Sequence, residues 1–183
     1  MIEIRRCVQR DTDAICAIQD IIIDDIKTKT ELINDLFIPL CRSELEMYFL
    51  DENTVVYGAF DEEKMVAFAL GTSVIKEQED FELIYTRRIN YYIRNKKLFS
   101  AEIIAVLPDY QNRGLQKQLL HNLVLAANST DADYVICTVS PDNVISLNNL
   151  LNYGFNIIDI TAYKVGEEIY KRYFMYIPLV WQY

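Results

Sequence analysis

Residues 101–116, Ala-Glu-Ile-Ile-Ala-Val-Leu-Pro-Asp-Tyr-Gln-Asn-Arg-Gly-Leu-Gln, constrain the fold of this chain more than any other stretch. They read as a buried strand, a turn at Pro108 and the glycine-bearing start of an amphipathic helix. The inner side of that helix would be Leu115, Leu119, Leu120, Leu123, Val124 and Ala127. A strand feeding a helix N-terminus through glycine leaves backbone N–H groups pointing outward, with partial positive charge behind them. Such a place suits a phosphate.

With 183 residues the chain is expected to form one domain, 1–183, burying roughly 70% of its unfolded surface. A net charge of −9 argues against a nucleic-acid partner, which needs a basic face. It leaves a neutral or cationic substrate, or simple solubility, as readings of the acidity. Cys7, Cys16, Cys41 and Cys137 show no metal-ligand spacing and stand among apolar neighbours. Reduced, buried thiols in a cytoplasmic protein are expected, with no metal. No apolar run is long enough to span a bilayer, and Met1–Arg5 reads as a strand rather than a signal peptide, so no membrane partner is expected.

The pattern predicts a strand over Ile2–Cys7 and a helix capped by Asp11-Thr12-Asp13, in which Ala14, Ile15, Ile18, Ile21 and Ile22 recur at helical spacing. A second helical region runs from Glu31 to Phe37, and a third starts at a Ser43/Glu46 capping box. Thr54–Phe60 and Met65–Ile75 form a hairpin around 61–64; Lys76–Leu98 is polar and carries no clear period. After the 101–116 run come a strand at Tyr134–Val139 and a helix from Ser140-Pro141-Asp142-Asn143 to a left-handed Gly154. A hairpin, Asn156–Val165 and Glu168–Ile177, turns at Gly166. The order β-α-α-β-β-β-α-β-α-β-β is that of an α/β protein with a central mixed sheet.

Two local patterns then resemble the GCN5-related N-acetyltransferase (GNAT) superfamily. One is Val106-x-Pro108-x-Tyr110-Gln111-x-x-Gly114, similar to the family's Q/R-x-x-G-x-G/A acetyl-CoA motif after a strand. The other is the segment from Val139 to Phe155, with Pro141, Asn143, Ser146 and the pair Gly154-Phe155. The element order extends the resemblance to nearly the whole chain, while the specific motifs cover 101–155. The resemblance implies the GNAT-like acyl-CoA N-acyltransferase fold, a mixed, mostly antiparallel sheet flanked by helices, with acetyl-CoA as co-substrate.

By that resemblance the pyrophosphate lies on the amides of Gln111, Asn112, Arg113, Gly114, Leu115 and Gln116. Arg113 either contacts a CoA phosphate or is a solvated cation. Gln116 stands where the family usually has Gly or Ala, a departure that leaves its amide but adds a side chain. Ile104 and Val106 would pair with the pantetheine arm as an added strand does. The Val106 amide would face the thioester oxygen, where an oriented N–H contributes on the order of 10²-fold. Asn143 matches an Asn that bonds the cofactor arm, and equally fits a plain helix N-cap. Glu102 shares a strand face with Ile104 and Val106. It is the candidate general base, the alternative being a structural ion pair.

The family's usual general acid, a Tyr four residues before the Gly of Gly-Phe, is Leu150 here, which donates no proton. Tyr153 occupies a neighbouring position. His121, the single histidine, falls away from the leucines and is expected on the surface. The implied function is transfer of an acetyl group from acetyl-CoA to a primary amine of a small molecule or peptide. The alternative is a non-catalytic CoA-binding regulatory module. The acceptor would enter near the first helices and Lys76–Leu98. Asp24, Asp25 and Glu31 are either an attraction for a cationic acceptor or a solvated helix face. The apolar tail 179–183 offers a homodimer contact or a fold-back onto the core.

Overall fold

Alternation in Ile2–Arg6 and the apolar runs of Thr54–Asp61 and Lys64–Val74 form strands β1, β2 and β3. The computed structural model describes residues 1–31, 36–74, 83–165 and 167–179, divided into two units.

The first unit comprises Met1–Ile33, Phe37–Thr72 and Ala101–Ala126. Its strands follow the order β1-β2-β3, then the later half of β5 (Leu98–Val106). β1 pairs antiparallel with β2 from Ile2↔Asp61 to Arg6↔Tyr57, and β2 with β3 from Thr54↔Thr72 to Asp61↔Lys64. Met65 to Gly71 are buried without alternation, as in a strand covered on both faces. Helix α1 spans Thr12–Lys29 and α2 spans Arg42–Leu50.

Three local expectations are corrected in this unit. Asp11 does not cap α1: its carboxylate takes the Val8 amide (2.9 Å) and both Arg5 guanidinium nitrogens (2.9 Å each), closing a 3-10 turn, Gln9–Asp11, ahead of the helix. The buried side of α1 is Thr12, Ile15, Ile18 and Gln19, and Ile21 is exposed. Gln19 is inside because its amide clamps Leu40 from both sides, donating to its carbonyl (3.0 Å) and accepting from its N–H (2.8 Å). The capping box of α2 is set two residues earlier than Ser43/Glu46. The Cys41 amide donates to Glu44 (2.6 Å), and Ser43 bonds the Cys41 sulfur instead. Cys41 is exposed and Cys16 half-buried, so only Cys7 and Cys137 are the buried thiols expected. Burial raises the Cys7 thiol to about 12.

Arg5 holds the Asp11 carboxyl below the usual carboxylate range, with the Val8 amide adding to the effect. The pair contributes stability above the ordinary value of about 3.9, lost as pH falls through the lower folded-state value. Arg5 is 35% exposed, so solvent screening trims the pair. Asp11→Ala should cost about 1–2 kcal/mol, a fall of several degrees in Tm at neutral pH that vanishes in strong acid.

The second unit comprises Asn34–Leu36, Ser73–Ser100 and Ala127–Tyr183. Its strands follow the order β5 (first half), β6 (Tyr134–Val139), β8 (Glu168–Pro178), β7 (Asn156–Val165) and β4 (Leu83–Ile84). β5 and β6 run parallel from Leu98↔Tyr134 to Ser100↔Ile136, while β6–β8, β7–β8 and β4–β7 are antiparallel. Ile89, Leu98, Ile136, Ile158 and Phe174 form its core cluster. The segment 76–98, without a period in the sequence, holds strand β4 and helix α3, Arg87–Ile93. α3 buries only Ile89, and its cap, Thr86, is fixed by a bond to Asp159 (2.7 Å).

The class is the one expected: a mixed, mostly antiparallel sheet flanked by helices. Most of the Glu31–Phe37 helix, the Gly166 turn and tail residues 180–183 lie outside the described residues.

Candidate active site

Strand β5 carries two different faces beyond residue 100. Ala101 and Ala105 are buried and Leu107 continues that row, while Glu102 is exposed and Ile104 and Val106 are half-buried. Glu102, Ile104 and Val106 thus share one side of the strand, as alternation requires. The Leu107 amide donates to the Val66 carbonyl of β3 (2.9 Å). Pro108 then removes a donor and starts a 3-10 turn, Pro108–Tyr110, in which the Tyr110 amide donates to Leu107 (2.9 Å).

The turn itself alternates handedness. Gln111 is extended, Asn112 has φ 61° and Gly114 φ 75°, and the Gln118 amide bonds the Gly114 carbonyl (3.1 Å) to begin helix α4, Leu115–Asn128. Left-handed residues alternating with ordinary ones aim successive N–H groups to one side, the geometry of an anion nest. The first-turn amides of α4, which have no acceptor within an α-helix, continue the row with the dipole behind them. A Cβ built on Gly114 would meet nothing in the protein closer than Gln118 Nε2 at 3.9 Å. The glycine is therefore demanded by φ and leaves the face above the amides open, which fits a pyrophosphate. Along α4, Leu115, Leu119, Leu120, Leu123 and Ala127 are buried as expected, Val124 is half-buried, and His121 is exposed.

Side chains brace this turn. Arg113 donates to the Asp109 carbonyl (2.9 Å), with its guanidinium 4.6 Å from the Tyr110 ring centre, and Gln111 reaches the Val106 carbonyl at 3.5 Å. The Tyr110 hydroxyl donates to Asp61 at the β2–β3 corner (3.0 Å), a bond that raises the phenol above its ordinary range. The sequence motif contains Tyr110 but assigns it no role, because its partner lies 49 residues away.

In the second unit, Asn143 caps helix α5, Val144–Tyr153. Its Oδ1 accepts from the Ser146 amide (3.1 Å) and its Nδ2 donates to the Leu36 carbonyl (3.2 Å). The cap reading of Asn143 is present; one amide hydrogen remains for a further acceptor. Gly154 ends the helix at φ 115°, its amide on the carbonyls of Leu150 and Leu151. Leu150 is buried, so the position of the usual acid is a packing position here. Tyr153 is half-buried, and burial pushes its phenol up. In α1, Asp24 and Asp25 are paired with Lys27 (3.0 Å) and Lys29 (2.5 Å), which favours the solvated-face reading over attraction of a cation.

Among the described residues no group of three or more His, Cys, Asp or Glu side chains is placed to hold a metal. No helix there is long and apolar enough to cross a membrane.

The model of the acetyltransferase (GNAT) family matches residues 22–155. The chain belongs to that family. Solved structures agree in fold. The ribosomal-protein-S18-alanine N-acetyltransferase of Escherichia coli is 18% identical, covering 100% of this chain and 96% of its own, with a TM-score of 0.69. Arabidopsis thaliana NAA60 in complex with acetyl-CoA is 14% identical, covering 98% and 99%, with a TM-score of 0.71. A phosphinothricin acetyltransferase of Sinorhizobium meliloti in complex with acetyl-CoA is 16% identical, covering 97% and 88%, with a TM-score of 0.65. No curated protein matches the chain significantly.

Proposed function

We propose that this chain is an acetyl-CoA-dependent N-acetyltransferase acting on a primary amine of a small molecule or peptide. The observation that carries the reading is the strand face Glu102–Ile104–Val106 running into a turn whose left-handed Asn112 and Gly114 open helix α4. Two of the solved structures of similar fold are complexes with acetyl-CoA, and the family that this chain matches is one of acetyltransferases. The family match runs through both units, which supports 1–183 acting as one domain.

In this reading the amides of Gln111 to Gln116 hold the pyrophosphate, and the backbone of Ile104 and Val106 carries the pantetheine arm. The Val106 amide polarises the thioester carbonyl. The amine nitrogen attacks that carbon, the carbon–sulfur bond breaks, and the ammonium proton passes through water to Glu102. The thiolate takes its proton from solvent, since Leu150 offers none. The acid balance of the chain supports a partner other than nucleic acid. Four cysteines without a disulfide support a reducing, cytoplasmic setting.

One observation favours a second reading, a CoA-binding module without turnover: the buried Leu150 at the usual acid position. Acetyl-CoA should raise the Tm of either. Release of free CoA thiol that depends on an added amine supports the enzyme. Stabilisation without release across an amine panel supports the module, and no stabilisation removes both.

A further inference from the structure

The side chains around Tyr110 form a brace at the turn that opens α4. Tyr110 lies in the 3-10 turn between β5 and the proposed pyrophosphate amides. Its hydroxyl donates to Asp61 Oδ2 at 3.0 Å, where β2 turns into β3. The Arg113 guanidinium lies over the ring at 4.6 Å, and the Lys64 ammonium stands 5.8 Å from the same ring centre. Arg113 is further tied to the Asp109 carbonyl at 2.9 Å. The Met1 amino group stands 3.8 Å from Asp61 Oδ1. The Tyr110 ring, two places before Asn112, therefore links the β2–β3 corner to the Arg113 guanidinium one place after Asn112.

We propose that Tyr110 is a positioning residue for acetyl-CoA: anchored on Asp61, it fixes the turn that presents the amides and holds the Arg113 charge beside the pyrophosphate. This rests on the acetyl-CoA reading of the turn and adds to it how the turn is kept in register. Preorganised donors cost less to order when the anion arrives, so the brace acts on affinity for the pyrophosphate. It does not act on the acyl chemistry, which lies along β5. The raised phenol of Tyr110 agrees with a hydroxyl that keeps its proton for the carboxylate.

The test compares acetyl-CoA with S-acetylpantetheine, which has the same thioester and no pyrophosphate. Tyr110→Phe keeps the ring and loses the bond. It should raise KM for acetyl-CoA and Kd for CoA by about fivefold, with kcat unchanged and S-acetylpantetheine kinetics unmoved. Asp61→Ala should reproduce that pattern and Asp61→Asn, which keeps an acceptor oxygen, should restore most of the affinity. The double variant Tyr110→Phe/Asp61→Ala should be no worse than either single one. An unchanged CoA Kd in Tyr110→Phe, or equal losses with both thioesters, overturns the proposal while leaving the acetyl-CoA reading intact. Failure of the wild-type chain to bind CoA removes that reading, and this proposal with it.

Discussion

Glu102→Gln is expected to lower turnover by about 10²- to 10³-fold while leaving KM for acetyl-CoA within about twofold. Gln keeps the size and polarity of the side chain and removes its capacity to take a proton. Glu102 is exposed on the face of β5 that Ile104 and Val106 share, so the substitution disturbs no buried packing. The loss should therefore sit in kcat rather than in KM. Steady-state thiol release with a productive amine measures it. Unchanged turnover would take Glu102 out of the mechanism and leave proton removal to another group or to solvent.

Gly114→Val is expected to weaken acetyl-CoA binding on the order of 100-fold, through the backbone rather than through a clash. At φ 75° a β-branched residue is strained by about 1–2 kcal/mol or more, and no neighbour crowds the added Cβ. The chain relieves that strain by rotating the turn, which swings the Gly114 and Leu115 amides away from a common anion. Removing two charge-assisted hydrogen bonds, at about 1.5 kcal/mol each, amounts to that factor. Calorimetry with CoA reads the affinity directly, and a modest fall in Tm shows that the fold survives. Gly114→Ala should lie between, because alanine tolerates the left-handed region better than valine does.

Local chemistry makes much of this site legible. Pro108 and Gly114 punctuate a run whose alternation separates Ala101 and Ala105 from Glu102, Ile104 and Val106, and one strand period is enough to see that. Gly154 likewise announces a left-handed cap whatever surrounds it. The features that stay hidden depend on partners remote in sequence. Thr86 caps α3 while held by Asp159, Gln19 is buried because Leu40 satisfies it, and Tyr110 is anchored by Asp61. The capping box of α2 escapes the sequence for a different reason. Cys41-x-x-Glu44 and Ser43-x-x-Glu46 offer the same spacing in two registers, and the chain adopts the one without the hydroxyl. Asp11 could serve either a cap or an ion pair on local grounds, and Arg5 on the neighbouring strand claims both its oxygens.

The departures from the family pattern fall unevenly on the proposed chemistry. Gln116, in the first turn of α4, bears in that reading on how closely a phosphate approaches. In the proposed chemistry Leu150 bears on the leaving group, and its burial makes that position one of packing. A CoA thiolate leaves without help more readily than an alkoxide or amide, so catalysis that is slow but real is consistent with this arrangement.

The most direct test is release of CoA thiol by the wild-type chain, with acetyl-CoA fixed and a panel of primary amines and amino-terminal peptides varied. The reading predicts release that depends on both the thioester and an amine and that saturates with each. Acetyl-CoA that neither stabilises the chain nor loses its thioester with any amine would contradict it.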